Sequence, residues 1–232
     1  MVTQIEQMLV EAWGKFCDYY DTKAHKYLKR LPVTLNKKEK DKQAKDSHWI
    51  CWNESDLMVH LGRYFYDRRR IESVSNEEFL NIEMHFDKNL NYANFKGYSF
   101  EDKLWRANED CYRLLEKELR SSEFPRNFPK LDLIIAREDS VDPFLLCAEA
   151  KCFHSSARNG PVDKKIEKDI ITLASIKKLE ITEKIAYIIF DDYYYNRRNP
   201  KDLKKISDDY AENYNIKDEL IILHHTSRQK QN

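Results

Sequence analysis

The segment at residues 131–153 constrains the fold of this chain more than any other stretch. Two apolar runs flank a polar segment at residues 137–143. This pattern predicts two β-strands that pair as an antiparallel hairpin through a loop of more than two residues. Charged side chains seldom lie on buried strands unless they are paired or bind a metal ion. The two predicted strands nevertheless carry three of them: Asp132, Glu149 and Lys151.

Strand geometry predicts where these charged side chains meet. Side chains alternate between the two faces of a strand, so Glu149 and Lys151 share a face, together with Cys147. If the hairpin folds about residues 140–141, Asp132 lies opposite Glu149, with the Cβ atoms about 4.5–5.5 Å apart. Two carboxylates this close repel each other, and a divalent cation would offset the repulsion. The alternative is a metal-free ion-pair cluster in which Lys151 neutralises the two acids.

The composition limits the class of protein. The chain has 232 residues, 41% hydrophobic and 12% aromatic, which suits a globular protein with a sizeable core. Lys plus Arg and Asp plus Glu number 40 each, so net charge gives no argument for nucleic-acid binding, although a local basic face remains open. Walker, GxGxxG and HExxH motifs are absent from the sequence, so the chemistries that those motifs carry lack support.

Cysteine usage and hydropathy lead to an expectation about the compartment. The five cysteines form no CxxC pair, and we expect them to be reduced. The N-terminus lacks a signal-peptide pattern, and the sequence contains no apolar run of about 18 residues. We therefore expect a cytoplasmic protein that does not enter a membrane.

The N-terminal part of the sequence predicts a helical arm. Apolar residues recur at helical intervals over residues 3–31, and Pro32 follows where a helix stop is expected. A strongly charged stretch comes next, typical of an exposed helix or a linker. We expect an arm and linker at residues 1–46 and a main domain at residues 47–232. The arm is a candidate for packing or for self-association, which would give a homodimer.

The main domain alternates helices with strands. Periodicity predicts helices at residues 53–70, 100–120, 161–179 and 200–213, and strands at residues 80–87, 185–190 and 220–223 in addition to the hairpin. The wholly apolar strand at residues 185–190 is typical of a central strand covered on both faces. The pattern predicts an α/β (α+β) fold with several long helices.

Glu54 stands at the start of a predicted helix and points the same way as its apolar stripe. An acid in the first turn commonly complements the helix dipole. It would also suit an acid directed at the site around Asp132. Glu109, near the middle of the predicted helix at residues 100–120, is the competing acid.

This order of elements resembles the PD-(D/E)XK nuclease superfamily, also called restriction-endonuclease-like. Asp132 carries the resemblance, together with the run Glu149-Ala150-Lys151 on the next strand and the earlier helix start with its acid, Glu54. The resemblance covers about residues 50–190. One departure is Leu131, which stands where the family has the Pro that names the motif.

The resemblance implies a restriction-endonuclease-like core, which is a mixed central β-sheet flanked by helices. It also implies a metal-dependent nuclease that hydrolyses phosphodiester bonds. DNA is the expected substrate, in restriction, phage defence or mobile-element biology, and RNA is an alternative. The implied Mg²⁺, which Mn²⁺ would replace, is held by Asp132, Glu149, the carbonyl oxygen of Ala150 and Glu54. Lys151 would orient the attacking water or stabilise the phosphate. The competing expectation is an inactive nuclease-like scaffold that binds nucleic acid or protein.

Two basic groups are candidate contacts for nucleic acid. Lys165 and Lys168 lie on the predicted helix after the hairpin, where a solvated helix face is the simpler interpretation. Tyr194, Arg197 and Arg198 follow the apolar strand, and such a group can stack bases and bind phosphate, although protein packing also explains it.

Three histidines are weaker candidates. His85 could assist the site from the neighbouring strand. His224 and His225 are adjacent on a predicted strand and therefore point to opposite faces, so we do not expect them to share one metal ion.

Overall fold

The computed structural model describes most of the predicted domain core. The described residues are 4–28, 36, 39, 50–51, 53–72, 82–89, 130–137, 143–153, 162–178, 180–191 and 202–226. The helices are α1 (Gln4–Leu28), α2 (Glu54–Glu72), α3 (Val162–Lys178) and α4 (Leu203–Asn213). The strands are β1 (Ile82–Asn89), β2 (Lys130–Arg137), β3 (Phe144–Phe153), β4 (Thr182–Asp191) and β5 (Leu220–Thr226). The predicted helix at residues 100–120, with Glu109, lies outside the described residues.

The five strands form one mixed sheet in the order β1-β2-β3-β4-β5. β1 pairs with β2, and β2 with β3, in antiparallel fashion, whereas β4 runs parallel to both β3 and β5. Parallel neighbours need a crossover connection. The sequence supplies α3 between β3 and β4 and α4 between β4 and β5. The predicted mixed α/β architecture is therefore confirmed.

The predicted hairpin pairs as the charge pattern indicated. β2 and β3 are in register with Leu133 opposite Ala148 and Ile135 opposite Leu146. The pairing ends at Leu133 and Ala148, and the same register extended by one residue would put Asp132 opposite Glu149. The apolar alternation sets this register, because a slip of one residue would turn every buried side chain to the other face.

α1 and α2 cover one face of the sheet. Every member of the predicted α1 stripe whose side chain is described is buried: Ile5, Met8, Leu9, Ala12, Trp13, Phe16, Tyr20 and Ala24. The Tyr20 ring lies 4.6 Å from the Phe190 ring of β4 and 5.4 Å from the His225 ring of β5, measured between centroids. The predicted arm thus packs into the core of the sheet, while the domain boundary after residue 46 stays a prediction.

α2 approaches the sheet closely at a glycine. Asn53 caps the helix, since its side chain accepts the backbone N–H of Asp56 at 2.9 Å. A Cβ at Gly62 would lie only 2.7 Å from Cζ of Phe86 on β1. The missing side chain therefore allows α2 and β1 to pack at this distance.

α3 and α4 cover the opposite face. Four apolar residues of α3 are fully buried: Ile166, Ile170, Leu173 and Ile176. They pack with β4, whose residues 185–190 are buried on both faces, as predicted for a central strand. None of the helices within the described ranges combines the length and apolar character that a membrane crossing needs.

Candidate functional site

The carboxylates of Asp132 and Glu54 lie beside β3 where its pairing with β2 has ended. Continued past Leu133, the hairpin register would place Leu131 opposite Ala150. The Ala150 N–H instead donates to Asp132 Oδ2 at 2.7 Å. Two residues later on β3, the Cys152 N–H donates to Glu54 Oε1 at 3.3 Å. Acids from β2 and α2 therefore occupy hydrogen-bonding positions that a neighbouring strand would otherwise fill.

Glu149 and Lys151 point to the face that α3 covers, where a third acid meets them. Asp169 on α3 places its Oδ2 atom 3.3 Å from Lys151 Nζ. The hydroxyl of Tyr187 on β4 donates to the same oxygen at 3.2 Å. Lys151 Nζ also donates to the Ala150 carbonyl oxygen at 3.2 Å. The parallel register sets Tyr187 beside Glu149, so β3, β4 and α3 converge on one polar cluster.

Burial and the mutual repulsion of carboxylates raise the pKa values of two acids in this cluster, Glu149 and Asp169. Desolvation raises the pKa of Glu149 well above its usual value, and the neighbouring charges of Asp169 and Asp132 raise it further. A hydrogen bond with Asp132 also favours the protonated form of Glu149, while Lys151 opposes these effects. Burial raises the pKa of Asp169 to about 6, although Lys151 and Tyr187 lower it in part.

Lys151 and Tyr187 keep their protons in this environment. Burial alone would lower the pKa of Lys151, but the carboxylates of Asp169, Glu149, Asp132 and Glu54 together raise it above its usual range. Burial, followed by the charge of Asp169, raises the pKa of Tyr187 well above its normal value. The ammonium therefore stays charged, and the phenol serves as a hydrogen-bond donor.

The cluster offers oxygen atoms, which are the type of ligand that a hard divalent cation prefers. Asp132, Glu149 and the Ala150 carbonyl offer oxygen ligands, and Mg²⁺ characteristically takes one or two carboxylates and keeps several waters. Among the described residues, no group of three or more His, Cys, Asp or Glu side chains is arranged to hold a metal ion. A metal ion here would thus depend on two carboxylates, the backbone and water.

Comparison with known proteins supplies no relative from which a role could be transferred. No family model, curated protein or solved structure matches this chain. Any function must therefore be inferred from the residues themselves.

The predicted site residues divide into three groups. Asp132, Glu149 and Lys151 come together on the hairpin as predicted, and Glu54 reaches the end of β3 through the Cys152 N–H. Lys165 and Lys168 lie on α3, half-buried and exposed respectively, and their contact with nucleic acid stays a prediction. The remaining predicted contacts lie outside the described residues: Tyr194, Arg197 and Arg198.

The histidines lie in separate surroundings. His85 Nε2 is 3.1 Å from Glu83 Oε2 on its own strand. His224 Nε2 lies 3.3 Å from Asp191 Oδ2, whereas His225 Nε2 lies 3.0 Å from Asp21 Oδ1 of α1. The prediction that the adjacent pair points to opposite faces is confirmed. β5 extends beyond the predicted end at residue 223 because its pairing with β4 continues to Thr226.

The sequence reasoning missed Asp169 and Tyr187. Asp169 lies in a helix rich in lysine, where a charged residue is more often solvated. Its position carried a signal, because it follows Ile166 by three residues and precedes Leu173 by four, so it belongs to the buried stripe. Tyr187 was hidden in an apolar strand, where a tyrosine resembles any other core residue.

Proposed function

We propose that this chain has a restriction-endonuclease-like core and is a metal-dependent nuclease that hydrolyses phosphodiester bonds, with DNA as the substrate. The observation that carries the proposal is the meeting of Asp132, Glu149 and Lys151 on one face of the hairpin, beside a break in strand pairing. The element order α2-β1-β2-β3-α3-β4, with antiparallel pairs followed by a parallel pair, supports the proposed core.

The charge balance of the cluster supports a cation at this position. Four carboxyl groups act on the one ammonium group of Lys151: Asp169, Glu149, Asp132 and Glu54. Burial of Glu149, followed by the nearby charges of Asp169 and Asp132, raises its pKa well above the usual value. A divalent cation held by Asp132 and Glu149 would offset the repulsion between them, as ion pairing with Lys151 alone does not.

The residues have separable tasks in such a reaction. Mg²⁺, when bound, supplies Lewis-acid stabilisation of the phosphate charge and eases deprotonation of water. Asp132 and Glu149 would hold the cation, and the hydrogen bond from the Ala150 N–H fixes one oxygen of Asp132. Lys151 provides a compact positive charge that orients the attacking water or stabilises the scissile phosphate. Glu54 contributes a further acid at the end of β3.

The direct test is a cleavage assay with purified protein. Plasmid DNA, single-stranded DNA and single-stranded RNA are incubated with Mg²⁺, with Mn²⁺ or with a chelator. We expect DNA cleavage that requires the metal and that falls about 100-fold or more in Asp132→Asn, Glu149→Gln and Lys151→Met. Cleavage of RNA alone would change the substrate but keep the mechanism.

Matched controls come from α4 and the turn that follows it. Lys204 pairs with Asp208 at 2.7 Å on the surface, and Glu212 pairs with Lys217 at 2.9 Å. Asp208→Asn, Glu212→Gln and Lys204→Met make the same chemical changes away from the cluster and should leave cleavage unchanged. Cleavage that survives Asp132→Asn and Lys151→Met would overturn the proposed site.

A second candidate function is a nuclease-like scaffold that binds nucleic acid or protein without cutting. The ion pair between Lys151 and Asp169 favours it, because it neutralises charge inside the cluster. This function predicts no cleavage of any substrate. It also predicts that Lys151→Met costs about 3–5 kcal/mol of stability, since the buried acids lose the ammonium group that pairs with them. Lys204→Met should stay within about 0.5 kcal/mol.

A further inference from the structure

We propose that Asp169, held in place by Tyr187, is the positioning residue for Lys151 in the phosphodiester hydrolysis proposed above. This inference rests on the proposed function and deepens it. It gives a role to two buried polar residues outside the Asp132, Glu149 and Lys151 set.

The first step is the contact itself. Lysine has a flexible four-carbon stem, so its ammonium has no fixed place unless its surroundings provide one. Lys151 Nζ lies 3.3 Å from Asp169 Oδ2 and donates to the Ala150 carbonyl at 3.2 Å. The carbonyl belongs to the neighbouring residue on the same strand. Among the described residues, Asp169 on α3 is therefore the side chain in position to fix the Lys151 ammonium.

The second step is what fixes Asp169. The Tyr187 hydroxyl donates to the same Oδ2 atom at 3.2 Å, and both side chains are buried. A buried phenol that keeps its proton needs an acceptor, and leaving it without one is costly. Tyr187 stands on β4 directly beside Glu149 in the parallel register. Through Asp169 and Tyr187, the position of Lys151 is therefore linked to β4, the strand that pairs with β3 beside Glu149.

The third step is the need for an anchor. Glu149 and Asp132 also attract the Lys151 ammonium, and they are the two acids proposed to hold the cation. If the ammonium moved onto them, it would compete with that cation for the same oxygens. Asp169 gives Lys151 a partner of its own, so that the ammonium and the cation can both be present.

α3 offers a matched control pair. Glu167, two residues before Asp169, accepts a hydrogen bond from the Tyr214 hydroxyl at 3.3 Å. This is again an acid on α3 paired with a tyrosine, but Tyr214 lies after α4 and not on the sheet. Glu167→Gln and Tyr214→Phe therefore reproduce the chemical changes of Asp169→Asn and Tyr187→Phe outside the cluster.

The test is a double-mutant cycle on metal-dependent cleavage. Asp169→Asn keeps the side-chain shape and should lower kcat about 10–100-fold with little change in KM, as is typical of outer residues that orient a functional group. Tyr187→Phe should lower kcat less, and the two control variants should cleave like the wild type. In a Lys151→Met background, Asp169→Asn should have no further effect, because its role passes through Lys151.

Two results would overturn the positioning role. One is Asp169→Asn cleaving at the wild-type rate. The other is a double variant whose loss of kcat equals the product of the losses in Asp169→Asn and Lys151→Met. That result would show that Asp169 acts independently of Lys151. Thermal melting of each variant separates loss of folding from loss of rate.

A second readout does not depend on cleavage. An amine-acylating reagent is applied to the full chain, and acylation of Lys151 is followed by peptide mass spectrometry. We expect Lys151 to react severalfold faster in Asp169→Asn and in Tyr187→Phe, but not in Glu167→Gln. Unchanged reactivity would overturn the positioning role. If labelling changes but the wild type cuts no substrate, the positioning holds and the proposed nuclease function fails.

Discussion

Mild oxidation should join Cys51 and Cys152 in a disulfide. Their sulfur atoms lie 4.0 Å apart, with Cys51 just before α2 and Cys152 directly after Lys151 on β3. Oxidised glutathione is a suitable oxidant: the two thiols each lose a proton, one S–S bond forms, and the reagent leaves as two thiols. The half-buried Cys152 is the entry point, and the buried Cys51 then displaces glutathione from the mixed disulfide.

The magnitude follows from the separation of the two residues in sequence. They are 101 positions apart. Closing a loop of that size in the unfolded chain is worth about 4.7 kcal/mol of stability in the chain-entropy model. The sulfurs must approach each other to about 2.05 Å, which moves the start of α2 slightly and costs part of this gain. We therefore expect the oxidised protein to be about 2–4 kcal/mol more stable.

The other described cysteines are poor competitors. Burial raises the pKa of the Cys17 thiol above its usual range and that of Cys147 to about 12. Both thiols are therefore rarely in the reactive thiolate form near neutral pH.

The assay is urea unfolding of oxidised and reduced protein, with the bond located by peptide mapping without reduction. Cys152→Ser is the control, because it removes the half-buried entry thiol, so oxidation should leave its unfolding midpoint unchanged. Two results would refute the reasoning. One is a different pair forming first. The other is an oxidised wild type that unfolds at lower urea than the reduced form.

Two further predictions concern stability. The pKa of Asp169 is raised to about 6 in the folded protein, above its value in the unfolded chain. The folded state therefore binds this proton more tightly. The resulting stabilisation is complete below about pH 4 and is lost as the pH rises through about 6. The stability of Asp169→Asn relative to wild type should therefore rise by roughly 2–3 kcal/mol between about pH 4 and 7, measured by urea unfolding with chelator. A pH-independent difference would contradict this. Gly62→Ala should cost about 1–3 kcal/mol, because the new Cβ would lie 2.7 Å from Phe86 Cζ. Gly14→Ala on α1, with nothing within 4 Å, should be neutral or stabilise by up to about 1 kcal/mol in the same assay; equal effects would argue against the close packing.

The hairpin was predictable because its information is local. Alternation of apolar and charged residues fixed both the pairing partner and the faces, so the opposition of Asp132 and Glu149 could be deduced without the rest of the chain. The buried faces of α1 and α3 followed in the same way from their apolar stripes.

Long-range contacts were not predictable from a single sequence. Nothing local states that β5 runs parallel to β4 or that α1 reaches β5, since such choices depend on the whole packing arrangement. Asp169 illustrates the same limit at the site. Its helical position marks it as inward, but its partners on β3 and β4 are set by the tertiary fold.

The contact between α1 and β5 also bears on how the chain folds during synthesis. Asp21 Oδ1 and His225 Nε2 lie 3.0 Å apart although 204 positions separate them in sequence. Contacts of such long range form slowly and cannot exist until β5 has been translated. A nascent α1 can pack on α2, but the part of its apolar stripe that meets the sheet stays exposed until β4 and β5 arrive. We expect that interval, rather than the formation of the site, to be when the chain most needs protection from aggregation.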